Sequence, residues 1–260
     1  MPGTRKLIAC EILRDETEHL LARTGTAARY DCDWLEMGLH EKPERLHVAL
    51  EERVAACAGR DYDAILLLFG LCSRATEGLT PPPGSRLVIP RVHDCIPLML
   101  GSASAFYREH AAEAGTFWFS RGWIHRPDGG TPEFSGLGAG VDGFDGNGRR
   151  KTVADVRREF IEKYGEENAE YLMETLMDAW KKNYTRAAHL EWEENPRLDE
   201  DRRFVNEYAG KNGWSTVSFP VNLRMVRMLL EGPWPEREFI TVLPGQRVVA
   251  TNDDQALAVG

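Results

Sequence analysis

The chain has 260 residues, of which 42% are hydrophobic, and it carries a formal net charge of −9. This acidic balance argues against a general nucleic-acid binder, which needs a basic surface, and against docking on anionic membranes. No apolar stretch reaches the roughly 18–20 residues of a membrane-spanning helix, and the N-terminal segment becomes charged too early for a signal peptide. We therefore expect a cytoplasmic protein whose five cysteines stay reduced.

The first ninety or so residues alternate short apolar strands with amphipathic helices. Strands are predicted at RKLIACEIL, YDCDWL, YDAILLLFG and SRLVIP, and helices at EHLLARTG and KPERLHVALEERVAACAG. The segment YDAILLLFG is apolar throughout, as expected of a central parallel strand that is buried on both faces. The alternation predicts an α/β fold with a doubly wound, mostly parallel sheet and helices on both faces.

The rest of the chain is predicted to complete a single domain spanning residues 1–260. A Gly-rich segment at 126–150 shows no helical or strand period, which indicates an inserted loop or lid. Residues 152–213 are predicted to be a mainly helical insertion, which begins at a helix capped by Thr152 and ended by Gly165. A strand at WSTVSFP, a helix at VNLRMVRMLLEG and a strand with a turn at REFITVLPGQRVV follow.

Three cysteines share one predicted position in this fold. Cys10 ends the first strand, Cys72 follows the third, and Cys95 opens the helix after the fourth. Ligands of open α/β sheets bind outside the carboxyl ends of the strands, so we expect these residues to converge there. Thiolates and a neutral imidazole are the ligands that Zn²⁺ prefers, and His93 lies two residues before Cys95. The sequence therefore predicts Cys10, Cys72, Cys95 and His93 as metal ligands.

Other polar side chains lie on the same three loops. Glu11 and Asp94 are predicted to orient His93 or to handle protons, and Arg74 and Arg91 to bind a cofactor. Three cysteines would equally suit a [4Fe–4S] cluster with one open iron. A further alternative has no metal, and in it a thiolate at Cys95 is favoured by the adjacent helix N-terminus, with His93 as its base.

Trp180, Tyr184, Ala188 and Trp192 recur every four positions in WKKNYTRAAHLEW, which predicts one face of a helix. Such a face usually belongs to the core, but it would also suit the wall of a site for a large planar ligand. In that second interpretation Trp180 binds the cofactor and Tyr184 meets the substrate. The acidic run EWEENPRLDEDRR that overlaps this segment is predicted to be a solvated face.

Several segments resemble domain-of-unknown-function family 1638, which occurs in bacteria and archaea. The resemblance rests on IACEIL, AILLLFGLCSRATEGL, LVIPRVHDCIPLMLGS, GTFWFSRGW, NYT and EGPWPEREFITVLPG, and so it covers nearly the whole chain. It implies a single-domain α/β protein that is often encoded near corrinoid methyltransferase systems, and thus a role in methyl-group or one-carbon metabolism. The positions that match the family motifs are Cys10, Glu11, Cys72, His93, Asp94, Cys95 and Tyr184.

The residues predict a metal-dependent cytosolic enzyme with a zinc–thiolate site, and the resemblance implies that this site serves methyl-group or one-carbon transfer linked to corrinoid systems. The metal would hold a small substrate, such as a thiol, in its nucleophilic form. One alternative is a dehydratase- or lyase-like enzyme with a [4Fe–4S] cluster. Another is a non-catalytic accessory protein that binds a corrinoid, a corrinoid protein or a partner methyltransferase.

Overall fold

The computed structural model describes residues 4–125 and 151–260. The chain divides into two compact units: unit 1 is Met1–Ala112 with Pro220–Gly260, and unit 2 is Glu113–Phe219. The Gly-rich segment predicted at 126–150 lies outside the described residues, and the expectation of a single domain stays a prediction. In the part of the chain that the structure describes, no helix has both the length and the apolar character needed to span a membrane.

Strands and helices alternate along much of the chain. In order they are β1 Thr4–Cys10, α1 Arg14–Thr24, β2 Tyr30–Leu35, α2 Pro43–Ala55, β3 Tyr62–Leu68, β4 Leu87–Pro90, α3 Ile96–Leu100, α4 Ala103–Ala112, β5 Thr116–Phe119, α5 Arg121–Ile124, α6 Val153–Tyr164, α7 Glu166–Ala179, β6 Arg186–Glu191, α8 Leu198–Asn212, β7 Ser215–Pro220, α9 Arg224–Glu231, β8 Phe239–Val242, β9 Val248–Ala250 and β10 Leu257–Val259.

Unit 1 contains a five-stranded sheet in the order β2-β1-β3-β4-β8. The first four strands pair in parallel, and β8 pairs antiparallel to β4. The predicted α/β class and mostly parallel sheet are therefore confirmed. Strands β9 and β10 pair antiparallel with each other.

The core of unit 1 follows from two hydrophobic patterns. Residues 64–68 of β3 are all buried, as expected of a strand covered on both faces. Helix α2 places Leu46, Leu50 and Val54 in the same core cluster as residues of β1, β3 and β4. Each such side chain contributes about 1.5–3 kcal/mol when it is fully buried. This packing holds the strand ends, and thus the loops that follow them, in fixed positions.

Unit 2 has its own sheet, in the order β5-β6-β7. β5 and β6 are parallel, with a register that runs from Thr116 opposite Arg186 to Phe119 opposite His189. The predicted start and end of α6 are confirmed. The Thr152 hydroxyl accepts from the Asp155 backbone N–H while the Asp155 carboxylate accepts from that of Thr152, and Gly165 follows the helix with a φ of 80°.

The prediction of a continuous helix through WKKNYTRAAHLEW is wrong. Helix α7 ends at Ala179, a 3₁₀ turn covers Trp180–Asn183, and β6 begins at Arg186. Residues 187–190 are buried in the middle of the unit 2 sheet, where a strand covered on both faces can form from residues of high helix propensity. Tertiary packing therefore overrides the four-residue spacing of the aromatic side chains, which do not share a helical face.

Glu191, at the end of β6, is a partly buried carboxylate held by three donors. The Arg202 guanidinium donates to it at 2.7 and 3.1 Å and the Ser218 hydroxyl at 2.8 Å, which together lower the pKa of Glu191 to about 2. Because the folded-state pKa lies below the usual ~4.3, this stabilisation is present above that pH and is lost as the pH falls toward 2.

We expect Glu191→Gln to lower the free energy of unfolding at neutral pH by about 1–2 kcal/mol. The value is at the low end for a charged network because Arg202 is partly exposed and solvent screens its charge. The variant should also lose less stability than wild type between pH ~4 and ~2, measured by urea unfolding. Glu200→Gln, in an exposed pair with Arg197, is the control. Parallel acid limbs for wild type and Glu191→Gln would contradict this account.

Candidate functional site

Three cysteines lie at the carboxyl edge of the unit 1 sheet. Cys10 is the last residue of β1, and Cys72 and Cys95 follow β3 and β4. These three strands are parallel, so their carboxyl ends share one edge. The strand order changes direction at β1, which lies between β2 and β3. Such switch points are where open α/β sheets bind ligands, because the neighbouring connections separate there.

The loops after β3 and β4 are joined by two backbone hydrogen bonds. Leu71 N–H donates to the Val92 carbonyl and Cys72 N–H to the His93 carbonyl, both at 2.8 Å. Gly70 makes this approach possible, since a Cβ there would lie 2.6 Å from the Val92 carbonyl oxygen. The position of Cys72 beside His93 is therefore set by backbone contacts and by the absence of a side chain at residue 70.

The chain turns in an unusual direction at Cys72. Cys72, Ser73 and Arg74 have φ values of 46°, 56° and 71°, which place three consecutive non-glycine residues in the left-handed region. Each such residue costs about 1–2 kcal/mol relative to the right-handed form. Strain of this kind persists only where surrounding contacts hold it and is concentrated at functional sites. The turn is closed by the Ala75 N–H, which donates to the Cys72 carbonyl at 3.1 Å.

The thiols influence one another electrostatically. Burial and, after it, the neighbouring Cys10 raise the pKa of Cys72 to about 12. Burial also raises the pKa of Cys95 well above its usual range, followed by the effects of Asp94, Cys10 and Cys72. Both residues retain some exposed surface, but their thiols lie in poorly solvated surroundings. The hypothesis of a Cys95 thiolate with a lowered pKa is therefore wrong, since desolvation outweighs the helix N-terminus.

His93 and Asp94 lie beside the thiols. The Asp94 carboxylate accepts from the Ile96 N–H at 2.8 Å, so it caps the start of α3, and its burial raises its pKa. The His93 ring packs edge-on against Tyr107, with 6.1 Å between ring centroids. Asp94 is near enough to Cys72 and Cys95 to raise the pKa of each. A carboxyl group thus shares the poorly solvated environment of the sulfurs.

The other predicted site residues of unit 1 have structural partners. Glu11 lies in a 3₁₀ turn directly after Cys10. Arg74 donates two hydrogen bonds of 2.8 Å to Glu77 on the same loop, and its side chain is 55% exposed. The Arg91 guanidinium donates to the Leu257 carbonyl. The proposed cofactor role of the two arginines stays a prediction, and a ligand at Arg74 would have to replace its two hydrogen bonds to Glu77.

Trp180 and Tyr184 belong to an aromatic cluster in unit 2. Their ring centroids lie 5.6 Å apart, and both rings contact Phe117 at 5.2 Å. Trp214 completes the cluster at 5.6 Å from Tyr184, and burial raises the pKa of the Tyr184 hydroxyl. These contacts are those of a packed core, which was one of the two interpretations of the aromatic spacing.

As the side chains stand, the described residues hold no group of three His, Cys, Asp or Glu side chains arranged to bind a metal ion. Binding of a metal at the sheet edge would thus require side chains there to change conformation. Two features of this site were missed from sequence. One is the left-handed turn, for which no Gly or Asn gives a signal. The other is Gly70, which a glycine directly after a buried strand could have indicated.

One family model matches the chain. It is described as "Protein of unknown function (DUF1638)" and covers residues 34–230. The match includes Cys72, His93 and Cys95 but ends short of Cys10. No curated protein and no solved structure matches the chain. The matched residues thus include the loops after β3 and β4, and the description of the family leaves the reaction open.

Proposed function

We propose, since the chain belongs to the DUF1638 family, that it is a metal-dependent enzyme whose thiol site serves methyl-group or one-carbon transfer. Cys10, Cys72 and Cys95 would be the protein ligands of a thiophilic ion, for which we propose Zn²⁺. The proposal includes a doubly wound arrangement of the unit 1 sheet, with helices on both faces and the ligand at its switch point. A cytoplasmic location would keep the thiols reduced.

The observation that carries the proposal is that Cys10, Cys72 and Cys95 end or follow three parallel strands, and that Cys10 and Cys72 lie close enough to Cys95 to raise its pKa. Each thiolate charge raises the pKa of the next sulfur, so three thiolates are unfavourable together in this poorly solvated place. A divalent cation reverses that balance, because it binds the thiolates and releases their protons. The donor set fits zinc or an iron–sulfur cluster better than it fits Mg²⁺ or Ca²⁺, which prefer oxygen ligands.

The residues around the sulfurs would bind the substrate thiol or accept its proton. A bound zinc ion would supply a Lewis acid that keeps a substrate thiol deprotonated at neutral pH. His93 would either occupy the fourth position or accept the proton of the incoming thiol. Asp94 and Glu11 would orient His93 or take up that proton, as carboxylates near metal ligands do. The buried loop contacts would limit the access of water.

The link to corrinoid systems rests on the family resemblance and on the thiol chemistry together. Methyl transfer to a thiol needs a nucleophilic sulfur near neutral pH, and a zinc–thiolate site supplies one. The substrate would then be a small thiol, and a methyl-carrying corrinoid protein would be the partner.

Metal analysis of anaerobically purified protein tests the proposal. We expect about one equivalent of zinc per chain, falling to less than about a tenth in Cys72→Ser and Cys95→Ser. Cys57→Ser is the matched control, because Cys57 is buried just after the end of α2 and is not among the charges that shift the thiols of this site. Wild-type protein that contains neither zinc nor iron would overturn the proposal.

A second candidate is a dehydratase- or lyase-like enzyme in which the same three cysteines hold a [4Fe–4S] cluster with an open iron. It is favoured by the position of His93, whose ring packs against Tyr107. The expected result is then brown anaerobic protein with about four irons per chain that loses its colour in Cys72→Ser. Colourless anaerobic protein with a full equivalent of zinc would exclude this candidate.

The main structural argument for the accessory-protein alternative no longer applies. It relied on Trp180, Tyr184 and Trp192 lining one helical face as a wall for a corrinoid. Trp180 lies in a 3₁₀ turn, and Trp192 follows β6. The acidic surface alone does not favour a corrinoid over other ligands.

A further inference from the structure

A second cluster of polar side chains lies in unit 2, at the carboxyl ends of the parallel strands β5 and β6. His125 follows β5 and the short helix α5, Asn195 follows β6, and Asp201 lies in the first turn of α8. We call these three residues, with Arg197, the His125 cluster. No residue of this cluster belongs to the thiol site, and none of the four is among the site residues predicted from the sequence.

The cluster is organised around a fully buried carboxylate. His125 Nε2 lies 2.5 Å from Asp201 Oδ1, and Asn195 Nδ2 donates to Oδ2 at 2.6 Å. The Asp201 side chain is 0% exposed, contrary to the prediction that this acidic run is a solvated face. A buried carboxylate needs such partners, because an unpaired charge in the interior is strongly unfavourable. Asp201 is thus fixed in place and holds the imidazole.

The outer nitrogen of His125 faces a replaceable partner. Arg197 Nη1 lies 3.3 Å from His125 Nδ1, and arginine can only donate, so Nδ1 carries the lone pair and Nε2 the hydrogen given to Asp201. Arg197 also pairs with Glu200 at 2.9 Å, and these two side chains are 52% and 53% exposed. Exposed pairs of this kind contribute roughly 0–1 kcal/mol, so a ligand displaces them at little cost.

This geometry defines the chemistry of a ligand. A carboxylate would take the place of Glu200 on the Arg197 guanidinium, for which a planar, two-oxygen acceptor is well suited. A hydroxyl would donate to Nδ1 in place of Arg197. Arg197 Nη1 must move off Nδ1 to admit the hydroxyl, and because it starts only 3.3 Å away, a ligand that carries the two groups on neighbouring carbons spans both side chains after a small shift.

We propose that the His125 cluster is a second ligand site, which binds small 2-hydroxycarboxylates between Arg197 and His125. Asp201 and Asn195 are positioning residues that fix the imidazole with its acceptor nitrogen outward. The partly exposed ring, 25% accessible, allows a small molecule to reach it.

The test compares glycolate with acetate, which lacks only the hydroxyl, by titrating each into the full chain labelled with ¹⁵N at histidine. Glycolate should shift the His125 Nδ1 resonance and bind about tenfold more tightly than acetate. This factor is the gain in affinity expected from one additional hydrogen bond, which the glycolate hydroxyl donates to Nδ1. Arg197→Gln should weaken glycolate binding by about tenfold or more, and His125→Gln should remove the preference for glycolate over acetate.

Arg203→Gln is the control, because Arg203 lies on the same helix and its guanidinium donates to the Asp199 backbone carbonyl at 3.3 Å. It should leave glycolate binding unchanged. The proposal is overturned if neither anion shifts His125, if the two bind equally well, or if Arg197→Gln and Arg203→Gln weaken binding to the same extent. Cys72→Ser protein should give the wild-type result, which separates this site from the metal proposal.

Discussion

Gly70→Ala is expected to lower the free energy of unfolding by about 3 kcal/mol, the upper part of the usual range for overpacking. The new Cβ would lie 2.6 Å from the Val92 carbonyl oxygen, 2.8 Å from the Asp94 nitrogen and 2.9 Å from the His93 carbonyl carbon. All three are backbone atoms, so no side chain can rotate away to relieve the contact. The loop after β4 must move, which breaks the hydrogen bonds from Leu71 and Cys72.

Urea unfolding with a matched glycine distinguishes this effect from a general cost of losing glycine. Gly210, in α8, has no atom within 4 Å of the position of an added Cβ, and alanine favours helices. Gly210→Ala should therefore raise stability by about 0.5–1 kcal/mol. Under the metal proposal, Gly70→Ala should also reduce the bound metal, because Cys72 and Cys95 lie on the two loops that separate. Equal stabilities for Gly70→Ala and wild type would contradict the close packing.

Asp201→Ala is expected to lower the free energy of unfolding by about 3–5 kcal/mol, the range for breaking a buried charged network. The substitution leaves the His125 Nε2–H and the Asn195 Nδ2–H facing a cavity instead of an acceptor. Each unsatisfied buried donor costs about 1–3 kcal/mol. Asp201→Asn should cost less, because its oxygen can still accept from one of the two donors.

The control for this prediction is Asp199→Ala, two residues before Asp201 in the sequence. Asp199 lies in the same helical turn, but its side chain is 89% exposed and pairs with Arg202 at 3.1 Å. Asp199→Ala should change the free energy of unfolding by less than about 0.5 kcal/mol. If Asp199→Ala and Asp201→Ala have the same midpoint in urea, Asp201 is not the centre of a buried network. The comparison holds whether or not the cluster binds a ligand.

Much of the local structure could be predicted from the chain itself. The strands β1 to β4, the helix α2 and the ends of α6 follow from apolar spacing and from caps at Thr152 and Gly165. The common edge for Cys10, Cys72 and Cys95 followed from one further rule, that parallel strands end on the same side. These features depend on neighbouring residues or on a regular topology, so the sequence carries them directly.

Other features required the tertiary structure. The segment Arg186–Glu191 has the spacing of a helix and yet forms a strand, because the middle of the unit 2 sheet buries both of its faces. The same applies to the aromatic side chains of Trp180 and Tyr184, which pack on Phe117 from a different chain segment. The spacing of residues along the sequence reflects the periodicity of one helix or strand. It does not indicate which distant segment of the chain packs against that element.

The sequence by itself determined the α/β class, the alternation of the first four strands with helices, and the placement of three thiols at one sheet edge. Only the tertiary structure decided the left-handed turn at Cys72, the burial of Asp201 within an acidic run, and the raised pKa of Cys95. The physical reason is that a residue type and its spacing set local conformation, whereas strain, desolvation and the pairing of charges depend on atoms brought close by folding.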